Sequence, residues 1–239
     1  MDVWTIIPVK SLLESKGRLA HLLSPRSRAQ LLRSLLDHVL ATVQETSRIT
    51  RILVVSHDPE VWQIAEAYDA LVVEEKLPHG LNSALSYAYE LAAEGGADAV
   101  LILPADLPFV TTADIDLVID AGLDDGNANG TAVATAMEFA PSLAPPVDAA
   151  RPMMAICSDR RGDGTNALLL QPALEFDFRY GPNSLQRHTH EALERDCLVR
   201  LVNAPGLQFD LDTEEDWQMF QEDDRSEPIK NSAIQQFNQ

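Results

Sequence analysis

Basic residues are scarce in this chain: 18 lysines and arginines stand against 37 aspartates and glutamates, for a net charge of −19. A surface of that sign repels phosphate backbones and anionic bilayers, so neither nucleic acid nor a membrane is expected as a partner. Cysteine is nearly missing. Cys157 and Cys197 are the only two, too few and too far apart for a disulfide framework or a zinc knuckle, and two lone thiols suit a reducing cytoplasm. No run in the sequence approaches the roughly 20 uninterrupted apolar residues of a membrane span. The opening "MDVWTIIPVK" has an acid at its second position, and polar and charged residues soon interrupt its apolar run, which is not the pattern of a secretory signal.

What is present is enough apolar material, 46% of 239 residues, to bury a sizeable core. Val3–Ile7, "RILVVS" at 51–56, "ALVVEE" and "DAVLIL" read as short buried strands. Between them lie helical patterns. Ser24-Pro25 is an N-cap followed by proline at the first helical position, Asp58-Pro59 opens a second helix, and "HGLNSALSYAYELAAEGG" stops at Gly95-Gly96. Thr111-Thr112 with Asp114 starts a further one. Alternating strands and helices, with strands apolar on both faces, predict an α/β fold with a mainly parallel sheet covered by helices on both faces. One domain is expected over 1–220, with an irregular insertion at 122–151 holding one strand near 131–137. A polar, frayed tail is expected over 221–239.

Ligands of such sheets sit outside the carboxyl ends of the strands, which draws attention to loops 8–18, 76–82, 104–109, 158–166 and 210–213. Asp106, Asp159 and the Asp210/Asp212 pair all follow apolar strands. In an extended chain Asp210 and Asp212 point to one face, and like charges side by side call for something cationic between them. A hard cation such as magnesium suits oxygen ligands of this kind; the ordinary alternative is that each aspartate makes a turn or a helix cap. Charge is also unevenly spread. Residues 1–33 carry six bases (Lys10, Lys16, Arg18, Arg26, Arg28, Arg33) against Asp2 and Glu14, whereas 214–227 carry seven acids and one base. A small polyanion docking near the N-terminal segment would account for the basic start.

"DRRGDGTNALLL" (159–170) sets glycines, Thr165 and Asn166 against an apolar run, and "FRYGPNS" repeats the pattern with Gly181, Pro182 and Ser184 ahead of a helix. Two small-residue loops, each ending in a hydroxyl and one at a helix N-terminus, suit a compact phosphorylated acid. The embedded Arg161-Gly162-Asp163 is read as a chance match to an adhesion tripeptide.

Together these stretches, with "IIPVK", "KGRLA", "HGLNSAL", "LPADLP", His188 and "LDTEEDW", make the chain resemble the guanylyltransferases of deazaflavin coenzyme F-420 biosynthesis, which activate 2-phospholactate, phosphoenolpyruvate or 3-phosphoglycerate. The likeness runs from about Val3 to Trp217. It implies a nucleotide-diphospho-sugar-transferase-like fold, GTP as donor, Mg2+ as cofactor and a downstream transferase that takes the unstable product. The resemblance implies that Thr165, Gly181 and Ser184 hold the phosphorylated acid, with phosphoenolpyruvate favoured. It implies metal ligands at Asp106, Asp210 and Asp212, with Asp159 as a further candidate. Lys10, Lys16 and Arg18 would take the triphosphate, Gly80, Leu81 and Asn82 the base, with Pro8 and Pro104 at the same strand ends. Lys10, Arg18 and Asp106 are then the catalytic set. Other readings stay open: a cytidylyl or molybdopterin-guanylyl enzyme, a glycosyltransferase with an Asp-x-Asp metal site, or a non-catalytic nucleotide-binding protein. The first departs from the chain in its glycine-rich loop after the first strand, where "PVKSLLESKGRLA" holds one glycine.

Overall fold

Proline and a short polar side chain open the helices where the pattern predicts. In the computed structural model, which describes residues 1–13, 16–74, 80–123, 151–172 and 175–235, Ser24 caps α1 (Pro25–Glu45) by accepting from the Ser27 amide. Asp58 caps α2 (Pro59–Glu66) in the same way from Glu60. The intervening apolar runs form β1 (Val3–Pro8), β2 (Ile49–Ser56), β3 (Leu71–Glu74) and β4 (Ala99–Ile102), with α3 (Leu81–Glu94) ending at Gly95 and α4 (Thr112–Leu123) following β4. Then come β5 (Met153–Ser158), β6 (Thr165–Leu170), α5 (Ser184–Glu194), β7 (Leu198–Leu201), α6 (Pro205–Gln208), α7 (Glu214–Glu222) and α8 (Glu227–Gln235). Most of the expected 122–151 insertion, including the strand near 131–137, lies outside the described residues.

Among the described residues the strands make one seven-stranded sheet of order β3-β2-β1-β4-β6-β5-β7, in which only β6 runs against its neighbours and the other pairings are parallel. Alternation sorts the core. Ile7, Leu101, Ala155 and Leu169 face α1, α2, α4 and α6, whereas Ile6, Ile102, Ile156 and Leu168 face α3 and α5. Both faces are therefore dry, which is why the strands read as unbroken apolar runs. The order reverses between β1 and β4, so a crevice opens beyond their carboxyl ends.

A third, smaller core corrects the expectation of a frayed tail. Phe220 and Ile229 pack with Leu19, Leu31, Leu35, Phe109, Phe209 and Leu211. The segment after 221 runs through a turn at Asp224–Ser226 into α8, which lies on α1. Among the described residues no helix is long and apolar enough to cross a membrane.

Candidate active site

The crevice between β1 and β4 is a cleft of about 600 Å3. Its floor is the strand ends, Pro8 and Pro104, and its polar rim carries Lys10, Lys16, Arg18, Asp106 and Asp212. Leu81, at the first turn of α3, forms part of one wall. Sequence reasoning missed the apolar lining, Val9, Leu32, Val55 and Ala84. Nothing in their residue type marks them, because the same side chains serve the core elsewhere. Gly80 lies at the N-cap of α3 beside this wall. Asn82 is spent differently: its Oδ1 accepts from the Tyr180 amide at 2.7 Å and its Nδ2 donates to the Tyr180 carbonyl at 3.3 Å. It ties α3 to the turn before α5.

The expected cation between the aspartates is present in the chain itself. Lys16 sits in the left-handed region (φ 56°) just before the Gly17–Leu19 turn, and its ammonium donates to Asp106 at 2.5 Å and to Asp212 at 3.4 Å. Arg18 reaches Asp212 at 3.1 Å. Burial works against the Lys16 charge, yet Asp106, Asp212 and Asp210 together hold its pKa above the ordinary lysine value. Asp210 is pushed up, first by burial and then by the neighbouring charge of Asp106. Asp106 and Asp210 thus crowd each other, while Leu211 between the two late aspartates is fully buried and its amide donates to the Asp106 carbonyl. Among the described residues no three His, Cys, Asp or Glu side chains form a ready metal-holding group. The donor set still fits a hard cation: it is all oxygen, and the Asp106–Asp210 pair carries more negative charge than it can comfortably hold.

Asp159 does not join this cluster. Its Oδ1 accepts from the Asp163 amide at 2.8 Å and its carbonyl from the Gly162 amide, so it shapes its own turn. The polar stretch from 159 to 164 is a bracket between two helices. Arg160 and Arg161 pair with Asp216 of α7, and Asp163 caps α5. The Asp163 carboxylate accepts from the Asn183 amide at 3.2 Å and its carbonyl from the Leu185 amide at 3.1 Å. Two amides at the helix start that was expected to receive an anion are therefore already engaged.

A β-bulge aims the next two side chains. Cys157 pairs with Ala167 but Ser158 pairs with Thr165, so Asn166 is an extra residue on β6. Strict alternation would send Asn166 to the α5 side with Leu168. The bulge reverses this. Asn166 donates to the Leu207 carbonyl at 2.9 Å and to Asp210 at 3.3 Å. Thr165 turns to α5, where its hydroxyl lies 3.2 Å from that of Ser184 and 3.0 Å from His188 Nδ1. Gly181, at φ +125°, makes the turn that only glycine takes easily and leads into Ser184. The two predicted loops thus converge, and Asn166 links them to the acidic cluster. His188, fully buried, was legible only as part of a motif. Burial pushes it down to about 4, with Arg179 and Arg187 adding to the effect and Glu191 opposing it, so the ring is neutral near pH 7.

Residues 3–129 match the family model described as guanylyl transferase CofC like. The chain is 34% identical over 216 residues to a phosphoenolpyruvate guanylyltransferase of Rubrobacter xylanophilus, covering 90% of this chain and 92% of that one. It is 30% identical over 216 residues to a 2-phospho-L-lactate guanylyltransferase of Methanothermobacter thermautotrophicus, covering 90% and 82%. In fold it resembles a protein of Desulfovibrio desulfuricans G20 assigned as a nucleotide-diphospho-sugar transferase, with a TM-score of 0.66, 13% identity and 99% of both chains covered. On the family model, which spans more than half of the chain, and on these identities, the chain belongs to the CofC-like guanylyl transferase family.

Proposed function

We propose that this chain joins GMP from GTP to a small phosphorylated carboxylic acid, phosphoenolpyruvate first among the candidates, and releases pyrophosphate in the biosynthesis of coenzyme F-420. The observation that carries the reading is one cleft in which Lys10, Lys16 and Arg18 meet Asp106 and Asp212 at the ends of β1 and β4. The relatives' names supply the guanylyl donor and the choice of acid; a 2-phospholactate or 3-phosphoglycerate acceptor would use the same geometry. The product is a mixed phosphoric anhydride, and a downstream transferase would consume it. We place the protein in the cytoplasm, where two unpaired buried cysteines are at home.

Chemistry follows from charge. An oxygen of the acceptor phosphate attacks the α-phosphorus of GTP in line. The new P–O bond forms as the bond to the β-phosphate bridge breaks, and pyrophosphate leaves with the electron pair. A phosphate oxygen is already a competent nucleophile, so the chain needs no activated side chain and works by positioning and by neutralising charge. Lys10, Lys16 and Arg18 hold the triphosphate, while Pro8, Pro104, Gly80 and Leu81 frame the nucleoside. Asn82 serves through Tyr180. Thr165, Gly181 and Ser184 hold the acid. Asp106, with Asp210 and Asp212, would hold magnesium, which when bound supplies charge neutralisation to the phosphates.

Asp106→Asn tests the assignment. Turnover is expected to fall by about 100-fold or more, the scale of removing one electrostatic stabiliser, measured at a temperature where the variant is folded, because losing the carboxylate nearest the buried Lys16 ammonium also lowers the unfolding midpoint. Unchanged activity at saturating magnesium would remove Asp106 from the site.

A further inference from the structure

We infer that His188 is a positioning residue that makes the Thr165–Ser184 hydroxyl pair a hydrogen-bond donor toward the anionic oxygens of the phosphorylated acid. This rests on the proposed role of Thr165 and Ser184 in holding that acid.

The Arg179 amide donates to His188 Nε2 at 2.9 Å, so that nitrogen must carry a lone pair. In the neutral ring the proton is then on Nδ1, and Nδ1–H donates to the Thr165 oxygen 3.0 Å away. One hydroxyl proton spans the 3.2 Å between Ser184 and Thr165. Whichever hydroxyl supplies it, the other keeps a proton with no partner inside this chain of bonds. The pair therefore has a donor to offer. With the opposite tautomer, Thr165 would have to donate to Nδ1, and the donor would be consumed internally. Phosphate and carboxylate oxygens only accept at neutral pH, so the sign of this surplus matters for them.

The surroundings hold the ring in this position. Tyr180 meets it edge to face at 4.7 Å between ring centres, and Phe176 lies at 5.8 Å. The Tyr180 backbone is in turn tied down by Asn82 of α3. The bulge brings Thr165 to this side of the sheet, within hydrogen-bond reach of the buried imidazole.

Steady-state kinetics on the full chain, with GTP and phosphoenolpyruvate varied in turn, test this through four variants. Thr165→Val probes the acid site itself. His188→Ala removes both ring nitrogens. His188→Asn can place an amide N–H where Nδ1 stood, and His188→Gln can place a carbonyl where Nε2 stood. His188→Ala is expected to raise KM for phosphoenolpyruvate by about ten-fold, the loss of one hydrogen bond to a charged group, with KM for GTP within about two-fold. His188→Asn should recover most of that loss and His188→Gln should not. Equal changes for both substrates, or recovery by Gln as good as by Asn, would show a merely structural role. If Thr165→Val leaves the acid KM untouched, the acid-site reading falls and the inference with it. If Thr165→Val acts and His188→Ala does not, only the inference falls. Should the His188 variants not fold, 15N-histidine NMR on the unmodified protein decides: the Nδ1–H form is expected, with a shift on adding phosphoenolpyruvate. An Nε2–H form, or no shift at saturation, would overturn it.

Discussion

A buried lysine in a left-handed backbone conformation is unfavourable on two counts, and Lys16 is stabilised by the carboxylates around it. Its ammonium sits where the spacing of Asp106, Asp210 and Asp212 calls for positive charge. A triphosphate brought into the cleft would compete for that ammonium, and a hard cation would compete for the carboxylates. Pro8, Lys10, Lys16, Arg18, Asp106 and Asp212 were legible in sequence because strand ends and charged loops announce themselves. Asn82 was not, since an amide that locks a turn and an amide that lines a pocket look alike. His188 was hidden for a similar reason: its role depends on which nitrogen accepts. The two cysteines give a prediction at this scale. Burial pushes the Cys157 thiol up to about 11 and that of Cys197 up to about 12, so at pH 8 both stay protonated and poorly nucleophilic. Neither should react with iodoacetamide in the native protein, and both should react in urea. Rapid native labelling would show that the core around them opens.

Among the elements, the third core has the clearest mechanical consequence. Leu19 follows Arg18, Phe109 lies shortly after Asp106, and Phe209 and Leu211 flank Asp210. All four pack against Phe220 of α7 and Ile229 of α8. Arg225 adds a cation over the Phe109 ring at 4.2 Å. The C-terminal helices thus hold in register the two loops that carry the acidic cluster and the one that carries Lys16 and Arg18. Ile229→Ala should cost about 2–4 kcal/mol in urea unfolding, the usual range for emptying a buried aliphatic site. An unchanged midpoint would mean that α8 is dispensable. The sequence hid this helix because its apolar residues are sparse and its lead-in is acidic. Helix starts at Ser24, Asp58 and Thr111 were plain, because capping chemistry is local. The reversed direction of β6 and its bulge at Asn166 were not, because pairing partners far along the chain decide both. The engagement of the Asn183 and Leu185 amides by Asp163 was equally hidden, a contact between residues about 20 positions apart.

Across the whole molecule, charge and topology point to one place. The chain carries a net −19, yet cations gather beside the crevice where the strand order reverses. Three bases and three acids meet there, so a compact anion would need a cation bound with it, and the long polyanions that need an extended basic face are disfavoured. The most direct measurement is pyrophosphate release by the purified chain with magnesium. GTP together with phosphoenolpyruvate is predicted to give sustained release, GTP alone almost none, and ATP, CTP or UTP with the same acid far less. Release that is equal with every nucleotide, or that does not depend on the phosphorylated acid, would contradict the account.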